Sequence, residues 1–386
     1  MLLCGSICLG QQDKEIALYP IHLQNGADFK LTVPKGYAVA VAAQGLQRPR
    51  FFAKAPDGRL FVTDMKNRSD NKEGTVLILD GWNEKTKQFE KTIPYLSGQH
   101  NPNSVAFYTS GTQHFMYVAE TGKLTVYPYK AGDNKPSSAG KVIATFPDFG
   151  LSYKYGGWHL TRTIAIRNNK LYVSVGSSCN ACIETETIRA SIVEMDPDGS
   201  HQRIYARGVR NGVGLKWIGN DLWCTNQGRD LIGPDKPEDL LMKILPDQFY
   251  GWPWFFQYKG QILADAAFKD SAKPAYVKKI PVAYVGFKAH SSPLGLTQLQ
   301  NFADPKLNNQ ILVALHGSTS VWRQRGNEVV IITGPNKYAP LVSGFLQGKT
   351  EAERYGRPCD VIQWDSKSFF ISDDKNGVVY WVGIEG

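Results

Sequence analysis

The amino-acid sequence predicts an all-β fold, a six-bladed β-propeller. Six short apolar runs recur along the chain and end in small or polar residues: RLFVTD, FMYVAE, LYVSVG, LWCTNQ, ILVALHG and FFISDD. With Phe61, Tyr117, Tyr172, Trp223, Leu312 and Phe370 taken as equivalent, the steps between runs are 56, 55, 51, 89 and 58 residues. Repeats of this length, each about four strands, are typical of a propeller, which hides its sheet edges by closing into a ring. Few windows keep the helical period of 3.6, so a helical bundle and a doubly wound sheet are excluded.

The first four runs each follow a second strand-like segment and a turn, in FFAKAPDG, SVAFYTSG, TIAIRNNK and VGLKWIGN. An early strand, Tyr37–Ala43, has no partner nearby, so we predict that it completes the last blade by pairing with VVYWVGI near the C-terminus. The long step predicts an insertion at about 233–293, lying as loops on the face where propellers place their sites. The predicted domain is thus a single propeller over residues 37–386.

Composition describes a globular protein with a large core. The 386 residues are 42% hydrophobic and 12% aromatic. The formal net charge of +9 is spread along the chain without a long basic run, so we expect no nucleic-acid partner. A net positive field would instead attract a small polyanionic ligand. No stretch after the N-terminus is long and apolar enough to be a transmembrane segment.

Residues 1–10 are mostly apolar or small, and the chain turns polar at Gln11. This pattern matches a shortened signal-peptide core without its basic start, and a frayed terminus is the alternative. Cys4 and Cys8 lie inside this segment and are candidates for lipid attachment, although neither follows a convincing lipidation motif. We therefore expect a secreted or periplasmic protein.

Arg210 and Asn211 stand between glycines where the chain enters the fourth repeat, in RGVRNGVGL. Arginine offers a permanently charged planar fork that matches carboxylates, and asparagine offers both a donor and an acceptor. The pair is suited to gripping a flat anionic ligand; the alternative is a turn held by loop carbonyls. Arg323 and Arg357, in the last two units, are further cations that converge on the propeller axis, although an arginine before proline often only decorates a turn.

The loop NQGRD, residues 226–230, follows the fourth run. Its backbone carbonyls are hard oxygen ligands suited to calcium, and the alternative is a polar connection between strands. In YGGWHLTRTIAI, His159 precedes the third repeat, where a side chain can point toward the axis. Histidine changes protonation near neutral pH and so is a candidate general base, against the alternative of a structural histidine.

Cys179 and Cys182 form a C-x-x-C motif with four interpretations: a disulfide, a redox pair, a haem attachment or half a zinc site. Haem attachment calls for a histidine where Ile183 stands, and no second Cys/His pair is evident for zinc. A local disulfide that stiffens a loop is favoured in an exported protein. Cys224 and Cys359 are predicted to be unpaired core residues or to pair across blades.

Eight segments occur in the order found in the glucose/sorbosone dehydrogenase family, and the chain most resembles its L-sorbosone and fungal pyranose dehydrogenase branch. They are HLTRTIAI, LYVSVGSSCNAC, YARGVRNGVGL, LWCTNQGRD, YGWPW, HSSPLGL, ALHGS and YGRPCDV with FISDD. The resemblance covers roughly residue 37 to the C-terminus and implies a six-bladed propeller that uses pyrroloquinoline quinone (PQQ) and Ca²⁺.

The resemblance also implies roles for individual residues. His159 would be the catalytic base, and carbonyls at Gly228 and Arg229 would hold calcium. The chain departs from the branch's Asn-Glu-Arg-Asp pattern, since Gln227 and Gly228 stand where the branch has a single glutamate. The loop is therefore one residue longer and has one negative charge fewer, which predicts a reduced calcium affinity. The residues that would bind the cofactor are Arg210, Asn211, Arg357, Arg323 and Arg162; Arg162 has the alternative of packing between blades.

Two classes of function follow. The first is a PQQ- and calcium-dependent oxidoreductase that oxidises an aldose, pyranose or sugar aldehyde and passes electrons to an external acceptor such as a dye, a quinone or a cytochrome. The second is a calcium-dependent hydrolase of the lactonase type, or a propeller that only binds partners. The arginine-rich set favours an anionic cofactor and hence the first class.

Overall fold

The computed structural model describes residues 16–67, 69–148 and 159–385. Residues 1–10, predicted to be the remnant of a signal peptide, lie outside the described residues, as does the segment just before His159. Within the described ranges, no helix has the length and apolar character needed to cross a membrane.

The chain folds into strands and short 3-10 turns. An N-terminal part comprises β1 (Ile16–His22), β2 (Asp28–Pro34) and β3 (Tyr37–Ala43), and the first blade comprises β4 (Pro49–Lys54), β5 (Leu60–Asp64), β6 (Gly74–Asn83) and β7 (Gln88–Gln99). The second blade comprises β8 (Ser104–Ser110), β9 (Gln113–Ala119), β10 (Lys123–Tyr129) and β11 (Lys141–Thr145). The third comprises β12 (Ile164–Arg167), β13 (Lys170–Val175), β14 (Ser191–Met195) and β15 (Arg203–Arg207).

The remaining strands follow the same plan with one addition. The fourth blade comprises β16 (Gly212–Ile218), β17 (Asp221–Asn226), β18 (Asp239–Ile244) and β22 (Val285–Phe287). Between β18 and β22 the chain forms β19 (Gln248–Phe249), β20 (Phe255–Tyr258) and β21 (Gln261–Ala264), which lie outside this blade. The fifth comprises β23 (Pro293–Gln298), β24 (Ile311–Leu315), β25 (Glu328–Gly334) and β26 (Lys337–Val342), and the sixth begins with β27 (Pro358–Gln363), β28 (Ser368–Asp373) and β29 (Val378–Ile384). Single 3-10 turns occupy Ala266–Phe268, Val321–Arg323 and Glu351–Glu353.

Six antiparallel sheets form the ring, which confirms the predicted six-bladed propeller. The first strand of each blade is innermost, since β4, β8, β12, β16, β23 and β27 contact one another around the axis. The predicted closure is also confirmed: β3 pairs antiparallel with β29 and becomes the outer strand of the sixth blade, with Val39 opposite Val382 and Ala40 opposite Trp381. The sheet of the sixth blade therefore combines a strand from the N-terminal part of the chain with strands from its C-terminal part.

The hydrophobic core lies between neighbouring blades. One cluster of buried side chains fills each of the six interfaces, and the cluster between the fifth and sixth blades also takes in the hairpin of β1 and β2. Phe51, Val213, Leu294 and Cys359 form a smaller cluster on the innermost strands. Alternation along each strand explains this arrangement, because successive side chains point toward opposite neighbouring blades.

Within the predicted insertion at about 233–293, residues 239–244 and 285–287 are blade strands, and the additional chain runs over residues 245–284. In this segment β19 adds a parallel fifth strand to the third blade, and β20 pairs with β21 as a separate hairpin. The segment reaches the loop after β17, because Asp265 pairs with Arg229 at 2.6 Å.

Candidate active site

Most of the residues predicted to form the site gather at one end of the ring. His159 precedes β12, Arg210 and Asn211 precede β16, and Arg357 precedes β27, whereas the loop that starts at Gln227 follows β17. In an up-and-down blade, the first strand begins at the same end at which the second strand finishes. These segments therefore meet on a single face, which we call the site face.

A cavity of about 200 Å³ opens on the site face. Four of the predicted residues line it: His159, Arg210, Gly228 and Arg229. The other lining residues are mostly polar: Gln227, Asp230, Pro237, Asp239, His290, Ser292, Ser318 and Thr319. We call this the site cavity.

His159 is held in one tautomer. Its Nδ1 lies 3.0 Å from the carbonyl oxygen of Ser177 and 2.9 Å from the Ser177 hydroxyl. Because a carbonyl oxygen can only accept, Nδ1 carries the proton and Nε2 carries the lone pair. Burial, reinforced by the cation of Arg210, lowers the pKa of His159 well below its usual 6.5. The imidazole is therefore neutral at physiological pH and able to accept a proton.

Gly176 makes this placement of His159 possible. A Cβ atom at Gly176 would lie 2.5 Å from the Cβ of His159 and 3.1 Å from Oδ1 of Asn211. Any side chain at position 176 would push the imidazole of His159 out of place. Glycine is needed here because the two residues approach closely, and not because its backbone adopts an unusual conformation.

Arg210 is a buried cation held only by neutral groups. Its side chain donates to the Asn180 carbonyl (2.8 Å), to Oδ1 of Asn180 (2.9 Å) and to the Gln227 carbonyl (3.3 Å), and the residue is 3% exposed. In the part of the chain that the structure describes, no carboxylate forms an ion pair with it, and Asp230 in the same cavity pairs with His290 at 3.2 Å. Burial lowers the pKa of Arg210 to about 10. Asp230 and Asp239 stabilise the charge of Arg210 without forming an ion pair with it. A buried cation that no described carboxylate contacts directly favours an anionic ligand.

Asn211 lies directly behind Arg210. Its backbone amide donates to Oδ1 of Asn226 at 2.9 Å, and its Nδ2 donates to Oε1 of Gln227 at 3.0 Å. Its own Oδ1 is buried and has no hydrogen-bond partner among the described residues. Buried acceptors in native proteins are nearly always paired, so this oxygen is an unpaired acceptor behind Arg210, although Asn211 does not itself line the site cavity.

The predicted metal loop brings carboxylates into the site cavity. Asp239 is 3% exposed, and its two oxygens accept from the amides of Gly228 (2.7 Å) and Ser292 (2.8 Å). Burial raises the pKa of Asp239 to about 6. The side chain of Arg229 is neutralised by Asp265, so this residue can offer the cavity only its backbone. Asp230 and Asp239 both line the site cavity, and carboxylate and carbonyl oxygens are the kind of ligand that calcium prefers.

The other three predicted arginines do not line the site cavity. Arg162 is fully buried and donates to the carbonyls of His159 (2.8 Å) and Thr161 (2.9 Å). Arg357 donates to the carbonyls of His316 (3.1 Å) and Gly317 (2.6 Å). Both therefore fix the backbone of loops on the site face.

Arg323 is half-buried at the rim of the site face. Its guanidinium lies 4.6 Å from the centre of the exposed Trp322 ring and donates to the carbonyl of Pro234 at 3.2 Å. The charge of Arg323 therefore lies at the rim, whereas the charge of Arg210 lies in the cavity wall.

A buried charge network on the same face was not predicted. Asp374 is almost fully buried, and its oxygens bind Nε2 of His316 (2.7 Å), Arg48 (2.6 Å) and Arg50 (2.6 Å). Burial would raise the pKa of Asp374, but His316 and the two arginines hold it far below its usual range. Burial lowers the pKa of His316 to about 4. The signal was present in the sequence, since His316 and Asp374 each close one of the recurring runs, where a second strand reaches the site face.

Cys179 and Cys182 form a disulfide, so neither sulfur is available to zinc or haem. The closed loop lies beside the site cavity. Cys224 and Cys359 are buried free thiols, in agreement with their prediction as unpaired core residues, and they do not pair across blades.

The protein is a six-bladed propeller with a mostly polar cavity on its site face. A sequence model described as TrAA12-like matches residues 31–236, more than half of the chain, and the protein belongs to this family. An uncharacterized protein of Borreliella burgdorferi is 25% identical over 376 residues, which span 92% of this chain and 91% of that protein.

Solved structures share the fold. The holo form of the pyranose dehydrogenase PQQ domain from Coprinopsis cinerea superposes with a TM-score of 0.74 at 17% identity, covering 92% of this chain and 97% of that one. The calcium structure of Trichoderma reesei Carbohydrate-Active Enzymes Family AA12 gives a TM-score of 0.74 at 16% identity and covers 92% and 96%. The apo form of the soluble aldose sugar dehydrogenase from Escherichia coli gives 0.62 at 14% identity and covers 90% and 100%.

Proposed function

We propose that the protein is a PQQ- and calcium-dependent oxidoreductase that oxidises the hemiacetal or aldehyde of a sugar. The observation that carries this proposal is the pairing, in one cavity, of the buried cation of Arg210, whose hydrogen-bond acceptors are neutral, with the neutral imidazole of His159. The cation suits an anionic cofactor, and the imidazole suits proton abstraction. The fold that the chain shares with a pyranose dehydrogenase PQQ domain and an aldose sugar dehydrogenase supports the same function.

Two groups would hold the cofactor directly. The guanidinium of Arg210 would bind a carboxylate, and the unpaired Oδ1 of Asn211 would accept from a ring N–H. Arg162 and Arg357 would act indirectly, by fixing the loops that carry His159 and His316. Arg323 would supply positive potential at the rim.

Asp230 and Asp239, together with carbonyls at Gly228 and Arg229, would hold calcium. When bound, PQQ would supply an acceptor for the two electrons of a hydride, and Ca²⁺ would polarise its quinone oxygen. Asp239, on β18, would supply a carboxylate from outside the loop, and this would offset the negative charge that the loop lacks.

His159 would remove the proton from the sugar hydroxyl. Its Nδ1 is anchored on Ser177, so Nε2 is the basic atom, and the low pKa keeps this atom unprotonated. Proton removal leaves the O–H electron pair on the oxygen. This pair forms the second bond of the carbonyl group as the hydride leaves the same carbon with the C–H electron pair, so hydride loss becomes easier.

We further propose that the protein is exported and passes electrons to an external acceptor. The Cys179–Cys182 disulfide supports an oxidising compartment. The rim of the site cavity, where Trp322 is 61% exposed, leaves the site open to such an acceptor.

The test is reconstitution. Metal-stripped protein is titrated with PQQ in the presence of Ca²⁺, and the quinone absorbance is followed after an aldose or a sugar aldehyde is added. We expect saturable binding that EGTA reverses and quinone reduction that depends on the sugar. Absence of PQQ binding, or hydrolysis of a sugar lactone by the calcium-loaded protein without PQQ, would point to the hydrolase class instead.

A further inference from the structure

The four-residue disulfide loop from Cys179 to Cys182 holds Asn180 against Arg210 and Asp230, two residues that line the site cavity. The Asn180 carbonyl accepts from Nε of Arg210 at 2.8 Å, and its Oδ1 accepts from Nη2 of Arg210 at 2.9 Å. The same Oδ1 accepts from the amide of Asp230 at 2.8 Å, and Nδ2 donates to the Asp230 carbonyl at 3.1 Å. One residue therefore binds both the buried cation and the loop that carries the candidate metal ligands.

The loop is also tied to His159 and to the insertion. The Ser177 hydroxyl, which lies 2.9 Å from Nδ1 of His159, donates to the Cys179 carbonyl at 2.8 Å. Nε1 of Trp252 donates to the Asn180 carbonyl at 3.3 Å. Because the disulfide closes the loop, a shift of any of these contacts is transmitted to the others.

The chemistry of the acceptors matters as much as their position. All three oxygens that bind Arg210 are neutral, so they orient the guanidinium without cancelling its charge. A carboxylate in place of the Asn180 side-chain amide would accept from the same Nη2 and would neutralise the cation that an anionic ligand needs.

We propose that Asn180, presented by the Cys179–Cys182 disulfide loop, is a positioning residue that orients Arg210 while leaving its charge available to an anionic ligand. This inference rests on the proposed function only for the identity of that ligand.

The first test needs no ligand. Phenylglyoxal modifies accessible guanidinium groups, and mass spectrometry reports the rate at each arginine. In Asn180→Ala, we expect Arg210 to be modified about fivefold faster than in the wild type, because Nη2 loses its acceptor Oδ1, whereas the backbone carbonyl of residue 180 remains. The double variant Cys179→Ser/Cys182→Ser should show the same acceleration. The matched control is Asn134→Ala on the opposite face, where Asn134 accepts from Arg59 at 2.9 Å, and it should leave the rate at Arg210 unchanged. An unchanged rate at Arg210 in both loop variants would overturn the proposal.

The second test separates position from charge. Asn180→Asp keeps the acceptors, so Arg210 should be modified as slowly as in the wild type, yet the affinity for PQQ with Ca²⁺ should fall about tenfold or more. Asn180→Ala should lose affinity and protection together, and Asn134→Asp should lose neither. If the wild type binds PQQ and Asn180→Asp binds it equally well, the charge argument is wrong. If the wild type does not bind PQQ, the proposed function fails, and the labelling rates still decide whether Asn180 positions Arg210.

Discussion

Arg210 forms no ion pair in the described part of the chain, and Asp230 and Asp239 act on its charge without contacting it. Every other buried arginine discussed above either meets a carboxylate, as Arg50 meets Asp374, or holds backbone carbonyls away from the cavity, as Arg162 and Arg357 do. Arg210 alone among these combines burial, neutral partners and a cavity. Such a residue lowers the stability of the ligand-free protein and raises affinity for an anion.

Arg210→Ala should therefore weaken PQQ binding by about ten- to a hundredfold, the effect of losing one charge-assisted hydrogen-bonded pair. The stability of the ligand-free protein should be nearly unchanged, because the lost hydrogen bonds are offset by removal of an unpaired buried charge. Equilibrium titration and urea denaturation measure the two effects. The control is Arg203→Ala, which removes an outer-edge arginine paired with Glu194 and should leave binding intact. Wild-type affinity in Arg210→Ala would remove this residue from the binding site.

His159→Ala should separate binding from chemistry. We expect PQQ and Ca²⁺ to bind as in the wild type, while quinone reduction by sugar slows about 10²- to 10⁴-fold, the usual contribution of a general base. Because burial lowers the pKa of His159, the wild-type rate should stay high as the pH falls below 6.5 and decline only well below it. Stopped-flow reduction across pH checks both statements, with His114→Ala, near the start of β9 at the end of the second blade away from the site face, as the control. A rate within a few-fold of the wild type would exclude His159 as the base.

The sequence predicted only part of this site, and the reason is physical. Residue chemistry made His159 and Arg210 candidates, and the family resemblance favoured their roles. Gly228 and Arg229 were assigned through that resemblance, and all four residues line one cavity. The neutral partners of Arg210 were not found, because Asn180 approaches from another blade and nothing in its local sequence encodes that contact. The positions of Arg162 and Arg357 behind the cavity depend on side-chain direction, which spacing along the chain does not determine.

At the scale of the strand, closure of the ring depends on β3. Its residues pair with β29 through a register that shifts once, between Val379 and Tyr380, and Val39 is buried in the cluster between the fifth and sixth blades. The strand was predictable because YAVAVAA has no local partner and the last unit lacks a strand. The insertion was harder, since β18 and β22 belong to a blade although residues 245–284 separate them in sequence.

Val39→Asp should destabilise the fold by about 3 kcal/mol or more, because it buries an unpaired charge in a core interface. Leu18→Asp is the matched control: Leu18 also lies on an N-terminal strand but is 59% exposed, so the change should be within about 0.5 kcal/mol. Urea denaturation followed by tryptophan fluorescence measures both. Equal midpoints for the two variants would mean that β3 contributes little to the ring.

At the scale of the whole molecule, the six inner strands enclose a channel that contains a second cavity of about 290 Å³. Asp360 on β27 and Lys216 on β16 both line it. Asp360 is 5% exposed, and its carboxylate accepts from the Phe52 amide at 2.9 Å. Burial raises the pKa of Asp360 to about 7, and burial lowers the pKa of Lys216. The axis thus disfavours charge on both groups.

This burial gives the stability a predictable pH dependence. The pKa of Asp360 is higher in the folded than in the unfolded state, so its contribution is fully present below about pH 4 and is lost as the pH rises to about 7. Asp360→Asn is always neutral, so between pH 5 and pH 8 it should gain at least about 1 kcal/mol relative to the wild type. Urea denaturation at the two pH values measures the difference, with the exposed Asp270→Asn as control. A constant difference between variant and wild type would show that Asp360 does not titrate in this range.

The pairing of β3 with β29 also governs when the protein can finish folding during its synthesis. On the ribosome, β3 emerges before the first blade, whereas β29 is made only after the other strands of all six blades. Until then β3 has an open edge, and Tyr37 and Val39 have no sixth blade to pack against. An open strand edge with apolar side chains readily pairs with another chain. The nascent polypeptide therefore carries an unpaired apolar strand while all six blades are being made, and pairing with β29 then protects it.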